Sequence, residues 1–366
     1  MAVRNPLFGD IYRLIYYSNG SSRKHISKEL DLSLPTVTNY LQQLMSEGLV
    51  YIDGTHDSTG GRKPNAYTIV PTAGFAIGID ITKHHCNVVL VDLAESIIDS
   101  DRTRIPFSDT DEYYAGVART IENILDRNNI NRHKLLGVGV SLPVIMAEDQ
   151  KHITYAKVID ISYDSYDRMA KFIKYPFLIY NDANSAGLAE WWATRQAEPA
   201  VYLALNPSIG GATINGKDIS AGNNNRASEF GHVTIVPGGR RCYCGRKGCV
   251  DAYCSETMLT GFTDGNLETF FEELPNNPGF QDVLNSYLYH LSLIVNTLRI
   301  CYDCDIIIGG NVGAYLDQYI DVLKEKAIRL NPFETEADYI RPCQYKKSAS
   351  AVGAALYFVK NYVDDM

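Results

Sequence analysis

Gly231-His232, then Cys242-Tyr243-Cys244-Gly245-Arg246-Lys247-Gly248-Cys249, is the stretch on which the reading of this chain turns. It sets one imidazole and three thiols in the pattern H-x9-C-x-C-x4-C. Three thiolates and an imidazole suit tetrahedral zinc, and closely spaced cysteines with intervening glycines let the chain wrap an ion. Four protein ligands (His232, Cys242, Cys244 and Cys249) leave no open position, so the expected role of zinc is structural. Cys254 is an alternative fourth ligand. Cys301-x-x-Cys304 has the spacing of a redox pair but precedes an apolar run, which favours buried core cysteines.

Outward from this cluster, strand-like runs at Phe75–Ile81, Asn87–Asp92, Leu136–Ser141, Phe177–Tyr180 and Val201–Leu205 alternate with helical patterns such as Tyr113–Asp126. That alternation implies mixed α/β layers. A long helical stretch, Phe280–Ile300, precedes a strand at Asp305–Ile308, and a helix near Ala349–Tyr362 closes the chain. Pro71-Thr72-Ala73-Gly74 marks a boundary between a head, 1–71, and a body, 72–366.

The head has its own pattern. Leu7, Ile11, Leu14 and Ile15 share a helix face; a second short helix carries Ile26 and Leu30 inward; a third, capped at Ser33 and holding Pro35 in its first turn, buries Val37, Leu41 and Leu44. Gly48 stops it, and Leu49–Ile52 and Ala66–Val70 form a hairpin. This is a winged helix-turn-helix. Its outward positions, Thr36, Thr38, Asn39, Tyr40 and Gln43, are hydrogen-bonding types suited to base edges and phosphates. The wing tip adds Arg62 and Lys63 after two glycines, with Arg62 placed for the minor groove. A protein-interaction module is the competing use of such a head.

Charge fits this division. The 366-residue chain carries a net charge of −9. Residues 1–70 hold seven Lys/Arg against six Asp/Glu, and the body the remaining 27 against 37, so phosphate contact must fall to the head. A weakly basic head calls for paired half-sites on operator DNA and a homodimer or tetramer. No segment offers about 18 uncharged apolar residues, and no secretory pattern opens the chain, so no membrane partner and a cytoplasmic location are expected.

Glu229-Phe230-Gly231-His232 followed by Cys242-x-Cys244-Gly245-x-x-Gly248-Cys249 resembles the signature of the ROK family (repressors, open reading frames and kinases), in its repressor branch. The resemblance spans essentially the whole chain. It implies two ribonuclease-H-like lobes of the actin and hexokinase type around a sugar-binding cleft. The first lobe would comprise about 72–180 plus the C-terminal helix at about 349–366, the second about 181–348. Asn181-Asp182-Ala183-Asn184 resembles the family's sugar motif, whose Asp is the general base in the kinases. By the same match Asn181, Asp182, Glu229 and His232 would hydrogen-bond sugar hydroxyls, His232 facing zinc with one ring nitrogen and sugar with the other. Asp251 stands where the family usually has Glu.

The family's kinases need Asp-x-Gly-Gly-Thr after the first strand so that backbone N–H groups can close on phosphates. Here the chain reads Asp80-Ile81-Thr82-Lys83-His84, and the second loop reads Asn206-Pro207-Ser208-Ile209-Gly210-Gly211. Only Gly309-Gly310-Asn311-Val312 keeps its form. The expectation is therefore a sugar-responsive repressor that binds a sugar without phosphorylating it. The alternatives are an ATP-dependent sugar kinase bearing a DNA-binding head, with Lys83 serving phosphate, and a regulator whose effector is another protein.

Overall fold

The structure, a computed structural model, describes residues 6–55, 65–195 and 198–366. Helices α1 (Pro6–Tyr17), α2 (Arg23–Glu29) and α3 (Leu34–Ser46) open it. The Ser22 hydroxyl accepts from His25 N at 3.2 Å and the Ser33 hydroxyl from Thr36 N at 3.3 Å. These bonds satisfy N–H groups that the first helical turn leaves without partners. Val37, Leu41 and Leu44 are buried as their spacing requires. Gly48, at φ 68°, turns the chain into β1 (Val50–Thr55), which pairs antiparallel with β2 (Asn65–Ile69).

The first lobe holds β3 (Phe75–Ile81), β4 (Cys86–Asp92), β5 (Ile97–Thr103), α4 (Asp111–Arg127), β6 (Leu135–Leu142), the small hairpin β7 (Ile145–Met146) and β8 (Ile153–Tyr155), α5 (Ser165–Met169) and β9 (Phe177–Asn181). Its sheet runs β5-β4-β3-β6-β9; β4 and β5 are antiparallel to their neighbours, and β6 and β9 are parallel to β3 and to each other. The almost uniformly apolar β3 and β6 are covered on both faces, as central parallel strands must be.

The second lobe follows with α6 (Asp182–Thr194), β10 (Ala200–Leu205), β11 (Ile209–Asn215), β12 (Asp218–Ile219), α7 (Asp251–Cys254), α8 (Thr257–Thr260), α9 (Leu267–Glu273), α10 (Pro278–Tyr302), β13 (Asp305–Gly309), α11 (Gly310–Gly313), α12 (Ile320–Ile328) and β14 (Ile340–Pro342). Its sheet order, β12-β11-β10-β13-β14, repeats the first sheet's order and strand senses. Two such sheets facing one cleft make the expected pair of ribonuclease-H-like lobes.

The last helix, α13 (Ala349–Asp364), is wedged between the first sheet and α6. A Cβ on Gly78 would lie 1.8 Å from the Ala351 carbonyl oxygen, and one on Gly353 would lie 1.7 Å from that of Ser185. Glycine at both positions is what lets the helix approach so closely.

Candidate effector cleft, metal cluster and DNA-binding face

Asn181 ends β9 and caps α6: its Oδ1 accepts from Asn184 N at 2.9 Å, while its Nδ2 donates to Val144 O at 3.0 Å. Those bonds fix the turn that delivers Asp182 to the cleft. Asn181, Asp182 and Glu229 line that cleft together with Lys157, Ser208 and Tyr243, around about 50 Å³. Burial pushes the Asp182 carboxyl up to about 7, helped by the nearby charges of Asp80 and Glu229. Asp80, at the end of β3, is itself pushed up to about 6 by burial, although the Ser141 hydroxyl donates to it at 3.3 Å. Burial raises Glu229 as well. A half-buried cluster of carboxyls poised to accept hydrogen bonds suits hydroxyl-rich ligands.

His232 and Asp251 do not line this cleft. Asp251 Oδ2 accepts from Ile209 N at 2.8 Å and from Ser208 Oγ at 3.1 Å, pinning the β10–β11 turn. His232 directs Nε2 to the Tyr243 hydroxyl, 3.3 Å away, and that hydroxyl also lies 3.0 Å from Ser208 Oγ. Tyr243 thus stands between His232 and the cleft and presents its own phenol there. Sequence reasoning passed over it as the variable residue between two cysteines, because its contacts with His232 and Ser208 arise only in the folded chain.

His232, Cys242, Cys244 and Cys249 converge, with ligand atoms all within 4.8 Å of one another. Cys244 Sγ and Cys249 Sγ are 3.8 Å apart, and His232 Nδ1 is 3.9 Å from Cys242 Sγ. Tetrahedral zinc with Zn–S bonds of about 2.3 Å needs S–S edges of about 3.8 Å. The donor set and its spacing fit the ion. Gly245, at φ 94°, and Gly248, at φ 87°, make the turns that bring the cysteines round. Cys254 is buried in α7, outside this group. Cys301 is exposed at the end of α10 and only Cys304 is buried, so the expectation of two core cysteines holds for one of them; the helix end turns Cys301 outward.

The loops that would face a nucleotide are closed on themselves. Thr82 N donates to His85 O at 2.9 Å and His85 N to the Thr82 hydroxyl at 3.1 Å. Gly310 N donates to the Tyr202 hydroxyl at 3.1 Å, and Asn311 N to Asn206 Oδ1 at 2.9 Å. Asn311 Nδ2 in turn donates to Glu256 at 2.8 Å. These N–H groups are taken up within the fold, Thr82 N by a backbone carbonyl and Gly310 N and Asn311 N by side-chain oxygens.

On the head, Asn39 and Gln43 are exposed and Thr36, Thr38 and Tyr40 half-buried. Local bonds engage several of them: Thr36 Oγ1 lies 2.8 Å from Ser33 Oγ, Thr38 donates to Leu34 O at 2.8 Å, and Gln43 donates to Glu47 at 3.2 Å. Arg23, exposed at the start of α2 and 3.5 Å from the Thr38 hydroxyl, extends this face with a cation that the sequence reading did not single out. Arg62 and Lys63 lie outside the described residues.

Residues 76–361 match the model of the ROK family, and residues 9–51 match that of a winged helix-turn-helix DNA-binding domain. The chain belongs to the ROK family. Among curated proteins, the xylose repressor of Bacillus spizizenii is 23% identical over 355 residues, covering 94% of this chain and 92% of the relative. A solved ROK family transcriptional regulator, a homologue of the Escherichia coli MLC protein, superposes with a TM-score of 0.73 at 18% identity, covering 98% of this chain and 96% of the other. The ROK hexokinase of Thermus thermophilus superposes at 0.64 and 21% identity, covering 80% and 100%.

In this ROK chain the head is bolted to the body. Tyr16 and Tyr17 of α1 pack on Trp192 near the end of α6. Arg195, in the left-handed conformation that ends α6, lies over the Tyr16 and Trp192 rings, pairs with Glu95 and donates to Tyr16 O at 3.2 Å. The Tyr16 hydroxyl donates to Glu95 at 2.9 Å. The Tyr17 hydroxyl donates to Asp364 at 2.7 Å, and Lys217 reaches the same carboxylate at 3.0 Å. One end of α6 is in the cleft and the other is under the head.

Proposed function

We propose that this protein is a sugar-responsive transcriptional repressor whose body binds a sugar without phosphorylating it. The observation that carries the reading is the contrast within one cleft. Asp182 and Glu229 line its sugar half as acceptors, while the backbone donors of its nucleotide half are spent on His85, Tyr202 and Asn206. The name of the Bacillus relative, a xylose repressor, supports a sugar effector and a repressing role.

In this reading Asn181, Asp182 and Glu229 bond sugar hydroxyls directly, and Asp251 and His232 hold Ser208 and Tyr243 in place beside them. A zinc ion bound by His232, Cys242, Cys244 and Cys249 fixes the loop that carries Tyr243; it supplies rigidity and no chemistry. Sugar draws the lobes together, and α6, about 20 Å long at 1.5 Å per residue, carries the displacement to Tyr16 and Tyr17. A homodimer sets two heads on a pseudo-palindromic operator, contacting it through Thr36, Thr38, Asn39, Tyr40, Gln43, Arg62 and Lys63. Differential affinity of the sugar for the two states is what shifts operator binding. Such a protein works in the cytoplasm.

The test is operator affinity by fluorescence anisotropy at fixed salt, with and without each of a panel of sugars. A sugar that stabilises the protein thermally must change that affinity; binding without any change sinks the reading.

A kinase reading has one specific support: an Asp182 carboxyl near 7 is placed where a general base would work. ATP-dependent turnover of a sugar above background would establish it. Under the repressor reading none is expected, nor any thermal stabilisation by ATP with magnesium.

A further inference from the structure

Behind the Asp182–Glu229 cleft lies a second and larger cavity, about 340 Å³, meeting the first at Asn181, Asn184 and Asn225. The two lobes contribute opposite walls: Gln150, Leu178 and Tyr180 come from the first, Ile219 and Ala221 from the strand and loop after β11, and Tyr357 and Asn361 from α13.

Its chemistry differs from that of the cleft. Among the described residues, no Lys, Arg, Asp or Glu lines it. The Tyr180 and Tyr357 rings stack with centroids 3.9 Å apart and planes 10° from parallel, making one rigid aromatic wall. The side-chain amides of Gln150, Asn184 and Asn361 make no hydrogen bond among the described residues. Gln150 and Asn184 are half-buried and Asn361 is exposed, so their amides are open to a ligand that both donates and accepts. Stacked on each other, the two rings leave an outer face or their shared edges to pack against a ligand's apolar C–H groups. A sugar ring has both properties, and the missing cations argue against a phosphate.

We propose that this cavity receives a second neutral glycosyl unit, so that the effector is a disaccharide or larger glycoside. One ring takes the Asp182–Glu229 cleft, and the next lies against Tyr180 and Tyr357 with its hydroxyls on Gln150, Asn184 and Asn361. The inference rests on the sugar-binding reading of the cleft and adds the size and charge of the ligand. It also gives the lobes a reason to close, because a ligand spanning both cavities touches β9, α6 and α13 together.

The test is calorimetric titration of the full-length protein with matched probes: xylose against xylobiose, and glucose against cellobiose and maltose. At least one disaccharide should bind about tenfold more tightly than its own monosaccharide. Ala221→Trp, which fills the cavity from a loop, should erase that advantage while leaving monosaccharide affinity within about twofold. Asn361→Ala should weaken the disaccharide alone. Circular-dichroism melting and operator binding verify that both variants are folded. Monosaccharide binding with no disaccharide advantage overturns this inference and leaves the repressor reading standing. An advantage that survives Ala221→Trp overturns it too. Binding of none of the five sugars overturns both.

Discussion

The rings of Tyr17 and Trp192 stack with centroids 5.9 Å apart and planes 24° from parallel, joining the first helix of the head to the helix that starts at Asp182. Trp192 is almost fully buried, and Tyr16 meets it edge-on at 5.7 Å. Movement at the start of α6 therefore cannot be absorbed at its end without disturbing α1.

Trp192→Leu should uncouple the two sites. Sugar affinity at the cleft is expected to stay near that of the parent. The sugar-induced change in operator affinity, ordinarily worth about 1–3 kcal/mol in such systems, should shrink by at least half. Anisotropy titrations with and without sugar measure it; an undiminished response would show that the signal takes another route.

The acidity of Asp182 predicts two opposite pH trends. In the unfolded chain an Asp ionises near about 3.9, whereas in the folded protein burial, Asp80 and Glu229 move it to about 7. Between those values the folded state keeps a proton that the unfolded state has lost. The stability this gives is complete below about 3.9 and disappears as pH rises through about 7. Asp182→Asn keeps a neutral side chain, so its melting temperature relative to the parent should climb from pH 5 to pH 8. Sugar hydroxyls donate best to the ionised carboxylate, so parental sugar affinity should rise over the same range. Parallel pH series of melting scans and titrations check both slopes.

Zinc content should be one ion per chain by atomic emission. Stripping it with a strong chelator, or replacing Cys244 with Ser, should lower the melting temperature by several degrees and abolish the sugar response. Without the ion, the turn carrying Tyr243 keeps local hydrogen bonds such as Cys242 N to Arg246 O and the Tyr243 contacts with Ser208 and His232, which do not fix the cysteine thiols. A chelated protein that responds to sugar as before would refute a structural ion.

On DNA, Asn39→Ala should cost about 1–3 kcal/mol on the specific operator and little on random sequence. Arg23→Ala should weaken both alike and reduce the slope of log affinity against log salt by about 1. Competition titrations at several salt concentrations distinguish the two roles.

The sequence exposed the periodic and the chemically rare. Strand β3 follows an apolar run interrupted only by Asp80, and α3 is bracketed by Ser33 and Gly48, so both were legible within a residue or two. Strand β5 was not: its Asp99, Asp101 and Arg102 lie on an exposed edge, where a strand needs no apolar alternation. Helix α6 hid for the opposite reason. It is buried nearly all round, against β11, α13 and the head, so it has no polar face to reveal a period. The zinc ligands could be read from spacing because chelation is local. The Tyr243 screen over His232, and the second cavity behind Asn181, depend on segments far apart in sequence, which periodicity does not register.

The aromatic seam between α1 and α6 also bears on modularity. Phe8, Tyr12, Tyr16, Trp192 and Val363 belong to one apolar cluster that crosses the boundary at Pro71. Cutting there would bare that cluster on both fragments, and each should aggregate. Exchanging the head for that of another regulator should fail unless α1 is exchanged for a sequence that still fits Trp192 and Arg195. Operator choice and effector response in this protein are therefore inherited together, since any new reading head must first satisfy the body it stands on.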